Sequence, residues 1–277
     1  MRRALAIVCV VLGCVLPAVA VGSWWAYGNA TDTDRFMRTA TPLASDATVQ
    51  NAVVDELVSV ASARLESAGL PGGTEAYRAR IRQAARALVA TEAYKRVWLR
   101  VQRTAHGQLA NRLTGDVPTP LTLDLAPLAA ELRARVRAAG LGVVADAIAD
   151  PAPVVILDRS EVRDAHDAVA RVRIVRGIAI PGAVLALLGV LLTAGGLARG
   201  LVRLGVCVGV SALLLLGALA VGRGALDDAG TDGALRVAVW DVLTDPLHNW
   251  IVGGAIAAVA LVALGAAVSA FSRRPAL

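Results

Sequence analysis

Basic side chains crowd one stretch of this 277-residue chain. Arg78, Arg80, Arg82, Arg86, Lys95, Arg96, Arg100, Arg103 and Arg112 share residues 78–112 with a single acid, Glu92. Spacings of three and four place Arg78, Arg82 and Arg86 on one helix face, and Arg96, Arg100 and Arg103 on another. A guanidinium presents a planar fork of donors that matches a phosphate or carboxylate, so such rows suit anionic lipid headgroups or an anionic wall polymer. The competing reading is a solvated face, paired internally with acids elsewhere in the chain.

Other reactive side chains form no such pattern. His106, His166 and His248 are the three histidines. Asp164 and Asp167 share a helix face while His166 points away, and no HExxH spacing exists, so no metal site is expected. No Gly-rich phosphate loop follows a strand, and nothing singles out a nucleophile. The sequence therefore points away from an enzyme and calls for no cofactor.

The elements that must position these arginines are set by where charge is absent. Residues 4–22, 177–198, 204–222 and 251–271 contain no Asp, Glu, Lys or Arg. Each is long enough to cross a bilayer core, which takes about 20 apolar residues. They raise the hydrophobic share to 56%, above the ~45–50% of soluble domains. The net charge of +6 gathers in short flanks of these stretches, and the polar block between the first two is nearly neutral. That argues for membrane orientation and against nucleic acid as a partner. Cys9, Cys14 and Cys207 all fall inside apolar stretches, so no disulfide framework supports the polar block.

Positive flanks orient the chain. Arg2 and Arg3, Arg199 and Arg203 in a tight connection between spans two and three, and Arg273 and Arg274 place both termini in the cytoplasm. Arg171, Arg173, Arg176 and Arg223 count against this, although long domains translocate largely regardless of charge. The first span reads as a retained anchor ending in the aromatic belt Trp24-Trp25-Ala26-Tyr27. Ala18-Val19-Ala20 keeps cleavage as the alternative.

Residues 29–43 read as a juxtamembrane linker. A helix capped by Ser45 or Asp46 follows to about Ser67, with Val49, Val53, Leu57 and Val60 as its buried stripe. Residues 74–114 read as one helix or two joined near Thr91, with Ile81, Leu88, Val97, Trp98 and Val101 on the apolar side. Strands are expected near 121–123 and 153–157, and helices near 127–140 and before Ala149. The last element opens at Ser160 and runs into span two, bending near Pro181. The acidic 223–249 segment reads as an outer loop that docks Asp241 and Asp245 on Arg96 and Arg100. Gly196-x-x-x-Gly200, Gly205-x-x-x-Gly209 and Gly265-x-x-x-Ser269 permit close helix approach, for internal packing or self-association.

Two segments, DTDRFMRTATPLASDATVQNAVVDEL (32–57) and LTLDLAPLAAELRARV (121–136), resemble a group of uncharacterised actinobacterial multi-pass integral membrane proteins. The resemblance implies an N-terminal span, a helical extracytoplasmic domain, three C-terminal spans and an actinobacterial source. It implies no activity and no site residues.

The expected fold is an all-α membrane protein with four transmembrane helices, a mainly helical extracytoplasmic domain and at most a short two-stranded ribbon. Residues 1–27 form the anchor, 28–172 the extracytoplasmic domain, and 173–277 the three-helix membrane region. The expected function is a non-enzymatic cell-envelope binding or scaffold module. Its partners would be the lipid bilayer, anionic lipid or wall polymer, or another membrane protein. The alternatives are an accessory subunit or oligomeric component of a transport system and, less favoured, an envelope hydrolase.

Overall fold

The computed structural model describes residues 2–67, 75–115, 121–123, 154–157, 159–227 and 233–271, with positions 130, 133, 134, 137, 138 and 142. In chain order the elements are α1 (Arg2–Thr31), α2 (Thr33–Ala40), a 3-10 turn (Thr41–Ser45), α3 (Ala47–Ser67), α4 (Glu75–Val89), α5 (Glu92–Thr114), β1 (Leu121–Leu123), β2 (Val154–Leu157), α6 (Arg159–Thr193), α7 (Leu197–Asp227) and α8 (Gly233–Phe271). The helices near 127–140 and before Ala149 that the sequence suggests fall on largely undescribed residues.

Among the described residues, four segments are long and apolar enough to cross a membrane: Ala6–Thr31, Ser160–Thr193, Leu197–Asp227 and Arg236–Phe271. The chain is a multi-pass membrane protein by this criterion. These helices outrun the charge-free stretches. At 1.5 Å per residue, the 39 residues of α8 extend about 58 Å, roughly twice a hydrocarbon core. The chain divides into two compact units. One holds residues 1–29, 167–228 and 244–277, and the other holds 30–166 and 229–243.

In the first unit, small residues bring helices together. The stripe Ala179, Ala183, Ala186 and Val190 of α6 is buried. Its steps of three and four residues are the spacing of a helix-packing seam, and Ala179 and Ala183 meet Ala20 and Leu16 of α1. A Cβ on Gly205 of α7 would lie 2.7 Å from Ala258 O of α8, and one on Gly265 of α8 would lie 2.7 Å from Ala198 O of α7. No side chain fits there, so the antiparallel α7–α8 backbones come into contact. Internal packing thus uses Gly205-x-x-x-Gly209. Gly196 instead belongs to the turn joining α6 to α7.

That turn corrects the expected limits. Span two ends at Thr193, and Gly195 (φ 66°) and Gly196 (φ 155°) turn the chain in conformations that favour glycine. Arg199 and Arg203 lie in the opening turns of α7. Arg203 Nη1 reaches back to Thr193 O at 3.4 Å, satisfying a terminal carbonyl.

Two clusters form the core of the second unit. Val54 and Val58 of α3 pack on Ala85 and Val89 of α4 and Tyr94 of α5. The stripe on α3 therefore centres on Val54 and Val58, with Val53 and Leu57 flanking it; the side chain of Val60 lies outside the described residues. Ala40, Leu43 and Val49 pack beneath Phe36, Val239, Val242 and Leu243. Trp98 of α5 borders both clusters. Thr91 separates α4 from α5: its hydroxyl donates to Leu88 O (2.8 Å) and accepts from Tyr94 N (3.1 Å). β1 and β2 pair antiparallel, Thr122 opposite Val155 and Leu123 opposite Val154.

Two expected loops are helical. Residues 29–43 are not a linker: α1 runs to Thr31, Asp32 caps α2, and a 3-10 turn follows. Most of 223–249 is likewise helix, as the end of α7 and the start of α8, with Pro246 inside α8. The turn bearing Asp241 packs through Val239, Val242 and Leu243 on the cluster of Ala40, Leu43 and Val49. Pro181 also lies within an uninterrupted helix.

Candidate functional site

Helices α4 and α5 carry the arginine rows. Arg78, Arg86, Arg96, Arg100 and Arg103 are exposed, and Arg82 is half-buried. On α5 the row lies opposite Tyr94, which is in the core, whereas on α4 the row borders the side that buries Ala85 and Val89, which leaves Arg82 half-buried.

Acids from neighbouring helices neutralise part of the rows. Arg82 Nε lies 3.9 Å from Asp55 Oδ1 of α3. Arg103 donates from Nη1 to Asp34 Oδ1 of α2. Lys95 donates to Glu92 at 2.8 Å. That bond, together with the charges of Lys95 and Arg96, holds the Glu92 carboxyl below its usual range. The arginines thus divide between internal pairing and outward display. The structure brings α4 and α5 end to end through Thr91, but it does not draw the two rows onto one closed pocket.

A second polar constellation lies where α2 crosses α5. His106 is 7% exposed, stacks on Phe36 with centroids 4.1 Å apart and planes at 12°, and its Nδ1 lies 3.2 Å from Thr33 Oγ1. Arg103, one turn earlier on α5, meets Asp34. Gly107 admits Thr33, whose Oγ1 would stand 3.8 Å from a Cβ there. Asp32 accepts from Arg35 N at 3.0 Å, and this bond lowers its pKa. Arg35 is lowered by burial, against the opposing pull of Asp32. Sequence reasoning placed Thr33, Asp34 and Phe36 in a linker. The available signal was Asp32 standing three residues before Arg35, ahead of Phe36, Met37 and Ala40 at helical spacing.

This junction fastens α2 to α5 through Phe36, His106, Thr33 and the Arg103–Asp34 pair. Among the described residues, no group of three or more His, Cys, Asp or Glu side chains is placed to hold a metal ion. Chemically, the outward guanidiniums can bind anions, and the α2–α5 junction fixes the helix that displays them.

No protein-family model, curated protein or solved structure matches this chain.

Proposed function

We propose that this membrane protein is a non-enzymatic envelope module. Its helical unit would lie on the extracytoplasmic side, both termini would be cytoplasmic, and its arginine rows would engage an anionic lipid surface or wall polymer. The observation that carries this reading is the exposure of Arg86, Arg96 and Arg100 on two helices that also hold Ala85, Val89 and Tyr94 in the core. A guanidinium fork on an exposed helix donates to phosphate oxygens without desolvating a buried charge. Arg82 and Arg103, tied to Asp55 and Asp34, would set the pose of the rows while contributing less to binding.

The test uses the full-length protein in neutral nanodiscs. Binding of a poly(glycerol phosphate) and of vesicles containing phosphatidylglycerol is measured for wild type and for R78Q/R82Q/R86Q. Weakened binding at low salt, converging with wild type at high salt, is the expected result. Equal binding by the variant removes these residues from the reading. For orientation, Thr104→Cys is exposed on α5 and should react with an impermeant maleimide on intact cells. Protection until lysis would reverse the topology.

A further inference from the structure

A separate cluster of aromatic and cationic side chains closes one end of the membrane-spanning unit. The buried α6 stripe of Ala179, Ala183, Ala186 and Val190 has Arg176 as its next member outward. The Arg176 guanidinium lies over the ring of Tyr27 on α1, 4.1 Å from the centroid. One turn before Tyr27, Trp24 meets Trp250 of α8 with centroids 5.8 Å apart. Three helices therefore contribute Trp24, Tyr27, Arg176 and Trp250 to one level, and Trp and Tyr favour the headgroup level of a bilayer.

Stacking occupies only the face of a guanidinium. Its N–H donors lie in the plane and remain directed to the rim. Arg173, exposed and one turn away on the same side of α6, adds a second fork. On the same face of α6, one and two turns deeper in the span, Ile180 and Val184 stand 42% and 54% exposed. The Asp245 carboxylate, on α8 near Trp250, accepts from Asn249 at 3.3 Å. Two guanidiniums beside an apolar wall at the aromatic level match a molecule with an anionic phosphodiester and an acyl chain.

We infer that Arg173 and Arg176 form a binding site for one anionic glycerophospholipid. Its phosphodiester sits on the two guanidiniums, and an acyl chain lies along Ile180 and Val184. The site stands on residues distinct from the α4–α5 rows and does not depend on their function.

Trp24 and Trp250, 40% and 68% exposed, can report occupancy. The full-length protein is placed in nanodiscs containing a minor fraction of brominated phosphatidylglycerol or brominated phosphatidylcholine, and tryptophan quenching is compared. Wild type should favour the anionic lipid. R173Q/R176Q should lose about fivefold in that preference for each arginine removed. R176K keeps the charge but loses the fork and the stacked plane, and should retain only part of the preference. R38Q/R163Q, which removes two exposed arginines outside both sites, should keep all of it, and glycerol phosphate in solution should not compete. Equal quenching by both lipids in wild type, or full preference in R173Q/R176Q and R176K, overturns the site. Loss in R38Q/R163Q equal to that in R173Q/R176Q reduces it to bulk charge and overturns the site. Competition by glycerol phosphate makes it a phosphate site and overturns the lipid assignment.

Discussion

Ser211 of α7 donates its hydroxyl proton to the carbonyl oxygen of Cys14 on α1, 2.6 Å away. That carbonyl lies next to the Gly13 carbonyl, which Pro17 in the same helix leaves without its N–H donor. The Cys207 carbonyl, one turn earlier on α7 and 2.9 Å away, is the alternative acceptor. Cys207 also directs its Sγ at Val10 O, 3.7 Å away. Two polar side chains on α7 thus bond to α1 carbonyls across the helix–helix contact. Ser211→Ala should destabilise the helix bundle by about 0.6–1.7 kcal/mol, the range of such bonds between membrane helices. Unfolding of the variant in mixed micelles measures it, and a change below about 0.3 kcal/mol would show that the α1 carbonyl finds another donor.

Gly205 and Gly265 make the stronger claim on packing, since each faces backbone. A Cβ at Gly205 would also lie 2.7 Å from Val262 Cγ2, and one at Gly265 would lie 2.8 Å from Val202 Cγ2. Alanine at either site must separate the helices, at a cost of about 1–3 kcal/mol. Gly217, where an added Cβ would meet nothing within 4 Å, is the control: Gly217→Ala should be neutral or gain by helix propensity. Equal losses at all three sites would refute the close approach.

Which of these features can be read from the chain depends on how local their causes are. Charge-free stretches mark spans because no water solvates backbone in a bilayer, so length and composition suffice. Thr91 is readable because one hydroxyl serves two helix ends within three residues. The α2 helix is not, since eight mostly polar residues acquire their apolar role only when Phe36 meets His106, 70 positions away. Likewise Pro246 suggests a break, but α8 continues through it. For the candidate site, the exposed arginine faces follow from helical period alone. Their partners Asp34 and Asp55 come from other helices, so only tertiary structure identifies the paired arginines.

The α2–α5 junction allows its contacts to be ranked. The Arg103–Asp34 pair is open to water, with side chains 57% and 71% exposed. Exposed pairs contribute about 0.2–1 kcal/mol, and screening reduces this further. Phe36 and His106 are packed ring on ring. Phe36→Ala removes a large apolar contact and should cost about 3 kcal/mol or more where burial is full, with His106→Ala between the two. Denaturant unfolding should therefore rank Phe36→Ala above His106→Ala above Arg103→Ala, with only the last losing its effect in high salt. An Arg103→Ala loss matching that of Phe36→Ala would mean that the ion pair, and not the ring stack, holds α2.

The pH dependence of the second unit follows from opposite shifts at its two extremes. Tyr94 is buried in the α3–α4–α5 core, and burial raises its phenol from 10.0 to about 12. The folded state then holds its proton where the unfolded chain has released it. Stability should be unaffected by this group below pH 10 and decline from there towards pH 12. Asp32 and Glu92 shift the other way. Their folded values lie below 3.8 and 4.5, through the backbone N–H of Arg35 and the ammonium of Lys95 respectively. The stability they add is present above those values and lost as pH falls through the folded ones. Tyr94→Phe should abolish the alkaline decline attributable to the phenol while leaving the acid limb intact, because it removes the titrating group and keeps the ring. Stability curves for wild type and Tyr94→Phe that remain parallel between pH 10 and 12 would show that the Tyr94 phenol does not govern the alkaline limb.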